Sequence, residues 1–216
     1  MKREQVITNI KGKKGLPKRV TIFLENDSSF DISVDIFLTS KLNVGQKLEE
    51  DEVHELIRED HFFQAKGYAL DALFRKARSK AGLLKILQNK GISQDISEEV
   101  LAQLELDGLV DDNKFLRDWI DLRMRTKPMG KVKLRQELLG KGIDKTLIDH
   151  ELQNISRDEE LEVALELAEK KLRSEVGFED EGVKRRLFGF LQRRGFTQDI
   201  IMNVFRRIEE DSEYQT

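Results

Sequence analysis

Residues 138–146 read LLGKGIDKT, in which two glycines flank a lysine and a Lys-Thr pair follows, as in a loop that could bind phosphate. A phosphate-binding loop ends in Gly-Lys-Ser or Gly-Lys-Thr, because its backbone N–H groups and its lysine must surround the phosphates. In this chain Asp144 stands before Lys145 and Thr146, and its carboxylate would repel a phosphate. The glycines therefore need another explanation.

The other residues that could do chemistry form no catalytic or metal-binding pattern. His54, His61 and His150 are scattered, without a histidine or carboxylate at ligand spacing. Asp111 and Asp112 carry the carboxylates that hard cations prefer, but adjacent residues at a helix start do not converge on one point, and helix capping accounts for them. The chain has no cysteine and no serine in a nucleophile elbow. The sequence predicts a protein that is not an enzyme and that uses no cofactor or metal.

The glycine segment recurs three times along the chain. Its copies are LQNKGISQDISEEVL from Leu87, LLGKGIDKTLIDHEL from Leu138 and LQRRGFTQDIIMNVF from Leu191. The aligned glycines, which are 51 and 53 residues apart, are Gly91, Gly142 and Gly195. Self-similarity at such a spacing indicates an internal repeat of supersecondary units.

A helix ending explains the shared letters of the repeat. Glycine just past a helix end adopts the left-handed conformation at little cost, and the next residue packs back on the helix. Ile143 should therefore contact Leu138, and the same applies to the other two copies. Ser93, Asp144 and Thr197 are suitable N-caps for the helix that follows. LLGKGIDKT is thus predicted to be a corner between two helices and not a phosphate loop.

The repeats and the residues before them predict the fold class and the domains. Each repeat has room for three helices, which in the second repeat would span about 113–125, 130–140 and 144–155. VITNI, RVTIFL and SSFDISV alternate apolar and polar residues, which predicts three short antiparallel strands over residues 5–35. We predict a mainly α protein of tandem three-helix repeats in an elongated curved array, with a small N-terminal β segment. The predicted domains are a β-rich segment over 1–48, a linker helix and first repeat over 49–108, and repeats over 109–156 and 157–216.

Charged residues are abundant and unevenly distributed, although the net charge is only −3. They make up 37% of the chain, above the roughly 25% of average globular proteins, which favours solvated helices. Residues 49–60 hold seven acids and one base, whereas 123–145 hold eight bases against two acids. The first residues lack a hydrophobic signal core, and no apolar run approaches membrane-spanning length. We expect a soluble cytoplasmic protein with no membrane partner.

Ten basic residues are candidates for contacting a partner. They are Arg75 and Arg78 in the run FRKARSK, Arg123, Arg125, Lys131, Lys133 and Arg135 in the second repeat, and Lys184, Arg185 and Arg186 in the third. We expect those of the second repeat, apart from Arg135, to be exposed charges. Those of the third repeat open a helix at the positive end of its dipole, so local stability does not account for them.

Arg135 is open to two interpretations. It points into the apolar arc of its helix, where the other repeats have Leu84 and Phe188. In the first interpretation its stem packs over the core and its guanidinium reaches a nearby acid. In the second, the guanidinium binds a carboxylate or phosphate on a partner.

Several of these segments resemble the RecX family of regulatory proteins. The strongest resemblance lies in GLVDDNKFLRDWIDLR and in the pattern G-x-x-x-L-R-x-E-L-x-x-K-G-I from Gly130 to Ile143. ALELAEKK, FLQRRGFTQDII and FRKARSKAGLLKILQNKGI resemble the same family. The resemblance extends over about residues 65–208, with the segments in the family's order and spacing.

The resemblance implies a bacterial, cytoplasmic and monomeric modulator of the RecA recombinase, lying in the groove of the RecA–DNA filament. It implies restraint of RecA's ATP hydrolysis and strand exchange, and of the co-protease activity that triggers the SOS response during DNA repair. The residues leave an alternative, in which basic helices contact DNA phosphates directly. A pI of about 5.8 counts against that as the main role, because non-specific DNA binders usually carry net positive charge. Local basic patches can still touch DNA inside a filament.

Overall fold

The computed structural model describes residues 4–13, 18–173 and 180–213. This part of the chain contains four strands, β1 (Glu4–Lys13), β2 (Arg19–Leu24), β3 (Ser29–Ser33) and β4 (Lys47–Glu49). Its ten helices are α1 (Val34–Ser40), α2 (Glu50–Arg75), α3 (Lys80–Asn89), α4 (Gln94–Leu106), α5 (Asp112–Thr126), α6 (Lys131–Leu139), α7 (Lys145–Gln153), α8 (Arg157–Leu172), α9 (Glu181–Arg193) and α10 (Gln198–Glu213). Helix accounts for 66% of the structure, which confirms the mainly α fold class with a small N-terminal antiparallel sheet.

The chain divides into two compact units. Unit 1 comprises Met1–Ala77 and Leu83–Leu109, and unit 2 comprises Arg78–Gly82 and Val110–Thr216. Unit 1 contains the sheet, and unit 2 contains α5 to α10. We call α5–α7 the second repeat and α8–α10 the third repeat.

The sheet of unit 1 has the antiparallel strand order β3-β2-β1-β4. Alternate residues of β2 (Val20, Ile22 and Leu24) are buried, as the apolar and polar alternation predicts. The sequence predicted three strands, whereas the structure adds β4, which pairs with β1. It also places Val34 and Asp35 in α1, which Ser33 caps. Neither element was predicted, because three and seven residues are too few to show a period.

The sheet shares its core with α2. Leu56 of α2 is buried among the sheet's apolar residues. Asp60, one turn further along α2, is fully buried and accepts hydrogen bonds from the backbone N–H of Ser33 (2.7 Å) and from Arg19 Nη2 (2.8 Å). Gln64 Nε2 donates a third bond at 2.7 Å. A buried carboxylate needs such partners, so the strands and α2 fold around one set of contacts.

The second and third repeats each have a hydrophobic core of their own. Helices α5, α6 and α7 lie within one or two residues of the predicted bounds and enclose Leu116, Trp119, Leu134, Leu138 and Ile148. Helices α8, α9 and α10 enclose a second cluster that includes Leu187, Leu191, Ile201 and Val204. Leucines four residues before the corner glycine are fully buried in both clusters, as the repeat pattern requires.

The three predicted helix endings are confirmed, although the side chain of Ser93 makes no capping hydrogen bond. Gly91, Gly142 and Gly195 have φ of 79°, 73° and 88°, in the left-handed region. The residue after each glycine donates its N–H to the carbonyl of the leucine, at 3.1, 3.3 and 3.2 Å. In the second repeat the Asp144 carboxylate accepts from the N–H groups of Thr146 (2.8 Å) and Leu147 (3.3 Å). LLGKGIDKT is therefore a helix ending followed by a capped helix start.

Among the residues that the structure describes, no helix combines the length and the apolar character that crossing a membrane requires.

Candidate partner-binding surfaces

The start of α6 lies directly on the corner of the third repeat. The N–H of Gly130 donates to the carbonyl of Arg194 at 3.0 Å. A Cβ atom at Gly195 would lie 2.3 Å from Cβ of Lys133, and one at Gly130 would lie 2.2 Å from the carbonyl oxygen of Gly195. Only glycine fits at both points, because these distances are far below van der Waals contact. The corner glycine thus sets both the helix ending and the position of the basic α6.

The same arrangement recurs within unit 2 at the corner of the second repeat. Ser79 Oγ donates to the carbonyl of Lys141 at 2.7 Å, and a Cβ atom at Gly142 would lie 2.4 Å from that of Ala81. Nothing lies within 4 Å of the corresponding point at Gly91. The corners at Gly142 and Gly195 therefore each lie against the start of another helix. No atom of the described residues comes as close to the corner at Gly91.

Acidic residues on α5 and α8 cap the starts of α3 and α6, respectively. The N–H of Lys80 donates to Asp112 Oδ1 at 2.8 Å, and the N–H of Lys131 donates to Glu160 Oε1 at 2.9 Å. Asp111 caps its own helix through the N–H groups of α5. These carboxylates bind backbone donors, as the capping interpretation predicts for Asp111. No group of three or more His, Asp or Glu residues suited to a metal ion occurs within the described ranges.

Three of the four second-repeat cations that we expected to be exposed are half-buried and hold internal contacts. Arg123 Nε lies 2.6 Å from Glu137 Oε2, and its guanidinium lies 4.4 Å from the centre of the Trp119 ring. Lys131 Nζ donates to the carbonyl of Ile155 at 2.5 Å. Lys133 lies against the third-repeat corner. The expectation of exposure was wrong here, because these side chains stabilise packing that joins residues far apart in the sequence. Arg125, with 80% of its side chain exposed, is as expected.

The structure favours the first interpretation of Arg135. Its Nη2 atom lies 2.7 Å from Asp149 Oδ1 on α7, and the two side chains are 39% and 34% exposed. The guanidinium therefore reaches an acid of the same repeat, as that interpretation requires. This ion pair crosses between α6 and α7.

The remaining candidates have different surroundings. Arg75, Arg185 and Arg186 are exposed, and Arg78 is half-buried. Lys184 Nζ lies 2.8 Å from Glu209 Oε1, which joins α9 to α10. The ten cations therefore do not form one cluster. Several hold helices together, and others project into solvent.

Each of the two repeats of unit 2 has a groove between its second and third helices. The α6/α7 groove, of about 360 Å³, is lined by Lys131, Val132, Arg135, Asp149, Leu152 and Gln153. The α9/α10 groove, of about 560 Å³, is lined by Glu181, Lys184, Arg185, Phe188, Met202, Phe205, Arg206 and Glu209. Met202, Phe205 and Arg206 are not among the candidates named from the sequence, because their place beside α9 depends on how two helices pack.

The pKa of Asp144 is the electrostatic feature that distinguishes the two corners of unit 2. The Thr146 hydroxyl, followed by the N–H groups of Thr146 and Leu147, lowers the pKa of this carboxyl below its ordinary value, because each donates a hydrogen bond to the charged form. The third repeat has Thr197 at the same position, which does not titrate in the acid range.

Two family models match the chain. The model described as "RecX, second three-helix domain" matches residues 111–152, and "RecX, third three-helix domain" matches residues 158–205. These matched ranges contain the corners Gly142 and Gly195 and most of the grooves beside them. The second and third repeats therefore each match a three-helix domain of this family.

Full-length relatives extend the similarity beyond these domains. The chain is 33% identical over 160 residues to "Regulatory protein RecX" of Amycolatopsis mediterranei, covering 74% of this chain and 90% of that protein. It is 29% identical over 206 residues to the protein of the same name from Clostridium botulinum, covering 93% and 94%. A solved structure titled "Crystal structure of regulatory protein RecX" matches 93% of this chain and 98% of its own with a TM-score of 0.69 and 22% identity, which shows a shared fold.

Proposed function

Because the chain belongs to the RecX family of regulatory proteins, we propose that it binds the filament that the RecA recombinase forms on DNA. There it restrains RecA's ATP hydrolysis, its strand exchange and its co-protease activity. The observation that carries the proposal is the 33% identity to a regulatory protein, over a region that covers 90% of that relative. The relatives are named as regulators and not as enzymes, which supports action by binding. We propose that the protein acts in the cytoplasm as a monomer, without catalysis or cofactor.

Two of the exposed arginines are the first residues that we propose for contacting the filament. Arg75 at the end of α2 and Arg125 at the end of α5 are exposed. The nearest ion-pair partner of Arg125 is Asp121 at 3.8 Å, and both side chains are largely solvated. An exposed arginine can exchange water for a carboxylate or phosphate without breaking a structural contact. Arg123 and Lys131, in contrast, would have to leave internal partners.

The test is the RecA ATPase assay on single-stranded DNA, with increasing amounts of the wild-type protein. We expect ATP hydrolysis to fall, and we expect Arg75→Glu combined with Arg125→Glu to weaken this effect at least about tenfold, since reversal adds repulsion to lost attraction. The matched control is Arg117→Glu combined with Lys145→Glu, which reverses two other exposed cations and changes the net charge equally. A wild-type protein that neither slows hydrolysis nor sediments with the filaments would contradict the proposal.

A second candidate function is direct binding to single-stranded nucleic acid. Phe74 is 95% exposed and stands next to exposed Arg75. An exposed aromatic ring beside a cation can stack on a base while the cation contacts phosphate. Comparing the affinity for naked DNA with that for RecA-coated DNA separates the two candidates. Phe74→Ala should reduce only the affinity for naked DNA. Tighter binding to naked DNA than to the filament would make this candidate the better one.

A further inference from the structure

The two grooves of unit 2 lie at equivalent positions of the second and third repeats. Adding 53, the distance between Gly142 and Gly195, to each residue that lines the α6/α7 groove gives a residue that lines the α9/α10 groove. The third-repeat groove has two further lining residues, Glu181 and Glu209, at its outer end. The two repeats therefore form equivalent grooves, which differ in the side chains that line them.

The central positions differ most. In the second repeat they are Arg135 and Asp149, whose ion pair spans the groove. In the third repeat they are Phe188 and Met202, which cannot pair in this way. Met202 is 49% exposed, and with Phe188 and Phe205 it forms an apolar floor. The groove of the second repeat is thus crossed by a polar bridge, whereas that of the third is open and apolar.

The charges beside the floor also differ. Arg185 and Arg206 occupy the positions of Val132 and Gln153, so these two cations are specific to the third repeat. Both are exposed, and neither forms an ion pair with any residue that the structure describes. Arg185 stands three residues before Phe188, and Arg206 stands four after Met202, so each lies one helical turn from the floor. Lys184 is already neutralised by Glu209 at 2.8 Å.

We propose that the α9/α10 groove binds a short segment of a partner protein that presents an apolar side chain with carboxylates on either side of it. The apolar side chain would cover Phe188 and Met202, and the carboxylates would receive paired N–H groups from Arg185 and Arg206. Interface hot spots are enriched in arginine and lie in well-packed pockets that exclude water. The inference rests on the proposed function only in naming that partner, which would be the protein component of the RecA filament.

A nucleic-acid strand fits the same groove less well. Its phosphates would meet the carboxylate of Glu181, which also lines the groove. Phosphate contacts supply most of the affinity of non-specific nucleic-acid binding, so the charge of Glu181 opposes it. A protein segment places its negative charge only at chosen positions, and it can leave Glu181 in water.

The first experiment uses two labelled peptides and the full-length protein. One peptide has two central leucines with glutamates on both sides, and the other replaces the glutamates with lysines. We expect fluorescence anisotropy to show binding of the acidic peptide at least about tenfold tighter than of the basic one, as charge complementarity predicts. ¹H–¹⁵N spectra should show shifts at residues 184–188 and 202–206. Equal binding of both peptides, no binding at millimolar concentration, or shifts confined to other residues would overturn the proposal.

The second experiment places in the α9/α10 groove the ion pair that spans the α6/α7 groove. The double substitution Phe188→Arg with Met202→Asp installs the second repeat's pair in the third repeat, and we expect it to abolish binding of the acidic peptide. Arg185→Gln with Arg206→Gln leaves the floor intact and should weaken binding about tenfold, with an unchanged melting curve as the control for folding. If either variant melts as the wild type does and still binds the acidic peptide normally, the groove is not the site.

Filament binding then separates this inference from the proposed function. If Phe188→Arg with Met202→Asp loses both the acidic peptide and the RecA filament, the groove is where the filament's protein docks. If the wild type binds the acidic peptide in the groove but ignores the filament, the proposed function fails and the site stands for another acidic partner. If the variant loses the peptide and still binds the filament fully, the identification of RecA as the occupant is wrong.

Discussion

The second and third repeats of unit 2 are built on the same corner and line their grooves with different side chains. In both, a left-handed glycine ends one helix, a fully buried leucine stands four residues earlier, and the next helix begins three residues later. Beside that corner one groove contains the Arg135–Asp149 ion pair and the other contains Phe188 and Met202. The corner residues, which determine the backbone, are shared, whereas the groove residues differ between the two repeats. Differences between the repeats are therefore where function is to be sought.

The largest effect should come from breaking the shared corner. Gly195→Val would place a Cβ atom 2.3 Å from Cβ and 2.5 Å from the backbone nitrogen of Lys133, besides straining a φ of 88°. We expect a loss of about 4 kcal/mol or more in the free energy of unfolding. Gly91→Val has the same strain but nothing within 4 Å, so about 1–3 kcal/mol is expected.

Urea denaturation followed by circular dichroism measures both variants. Fluorescence of Trp119, the single tryptophan of the chain, adds a signal from unit 2. Equal losses for Gly91→Val and Gly195→Val would mean that the close approach of α6 to the third-repeat corner contributes nothing.

A smaller effect should follow from removing the cap that the third repeat supplies to the second. Glu160 is 6% exposed, and its carboxylate accepts the N–H of Lys131 at the start of α6. Glu160→Ala leaves that donor without its acceptor, and we expect a loss of about 1–3 kcal/mol. Glu160→Gln keeps an acceptor oxygen and should lose less. Helix α9, in contrast, is capped by Asp180, the residue just before it. Asp180→Ala should therefore leave the unfolding of the second repeat unchanged.

The sequence predicted the corners well and the grooves hardly at all, for a physical reason. A corner is local: Gly142, the leucine four residues earlier and the cap Asp144 all lie within seven residues. Arg135 could be placed in the apolar arc, but its partner Asp149 lies 14 residues away across the corner. The same separation hid the contact of Arg123 with Glu137. Contacts between helices depend on packing that no local pattern records.

The difference between the grooves can be tested by exchanging their contents. Arg135→Phe with Asp149→Met gives the second repeat the residues of the third. Because the ion pair is more than one-third exposed and screened by water, its loss should change the free energy of unfolding by less than about 1 kcal/mol. Thermal melts of this variant and of Arg135→Ala provide the measurement. A much larger loss would show that the pair determines the backbone of the second repeat after all.

The smallest effect should appear in the response of the two corners to acid. The pKa of Asp144 is lowered in the folded protein by the Thr146 hydroxyl and by backbone N–H groups. The stabilisation by this cap is therefore present above the unfolded pKa of about 3.9 and is lost as the pH falls through the lower folded value.

Melting temperatures of the wild type and Asp144→Asn, recorded between pH 6 and pH 2, should therefore converge at the acid end. The matching substitution in the third repeat, Thr197→Asn, replaces one cap that stays uncharged with another. Its difference from the wild type should stay constant with pH. A constant difference for Asp144→Asn as well would show that the charged form of Asp144 has no special role at the corner.

The buried Asp60 also has a consequence for how the chain is made. Its partners Arg19 and Ser33 precede it by 41 and 27 residues, and β4, which closes the sheet against β1, lies between. At about 5–20 residues per second, a ribosome needs roughly 1–5 s to extend the chain from Ser33 to Asp60. During that time β1, β2 and β3 are present without the helix that completes their core, and the edge of β1 that β4 will occupy is open to other strands. The nascent chain is therefore most exposed to misassociation before α2 has emerged.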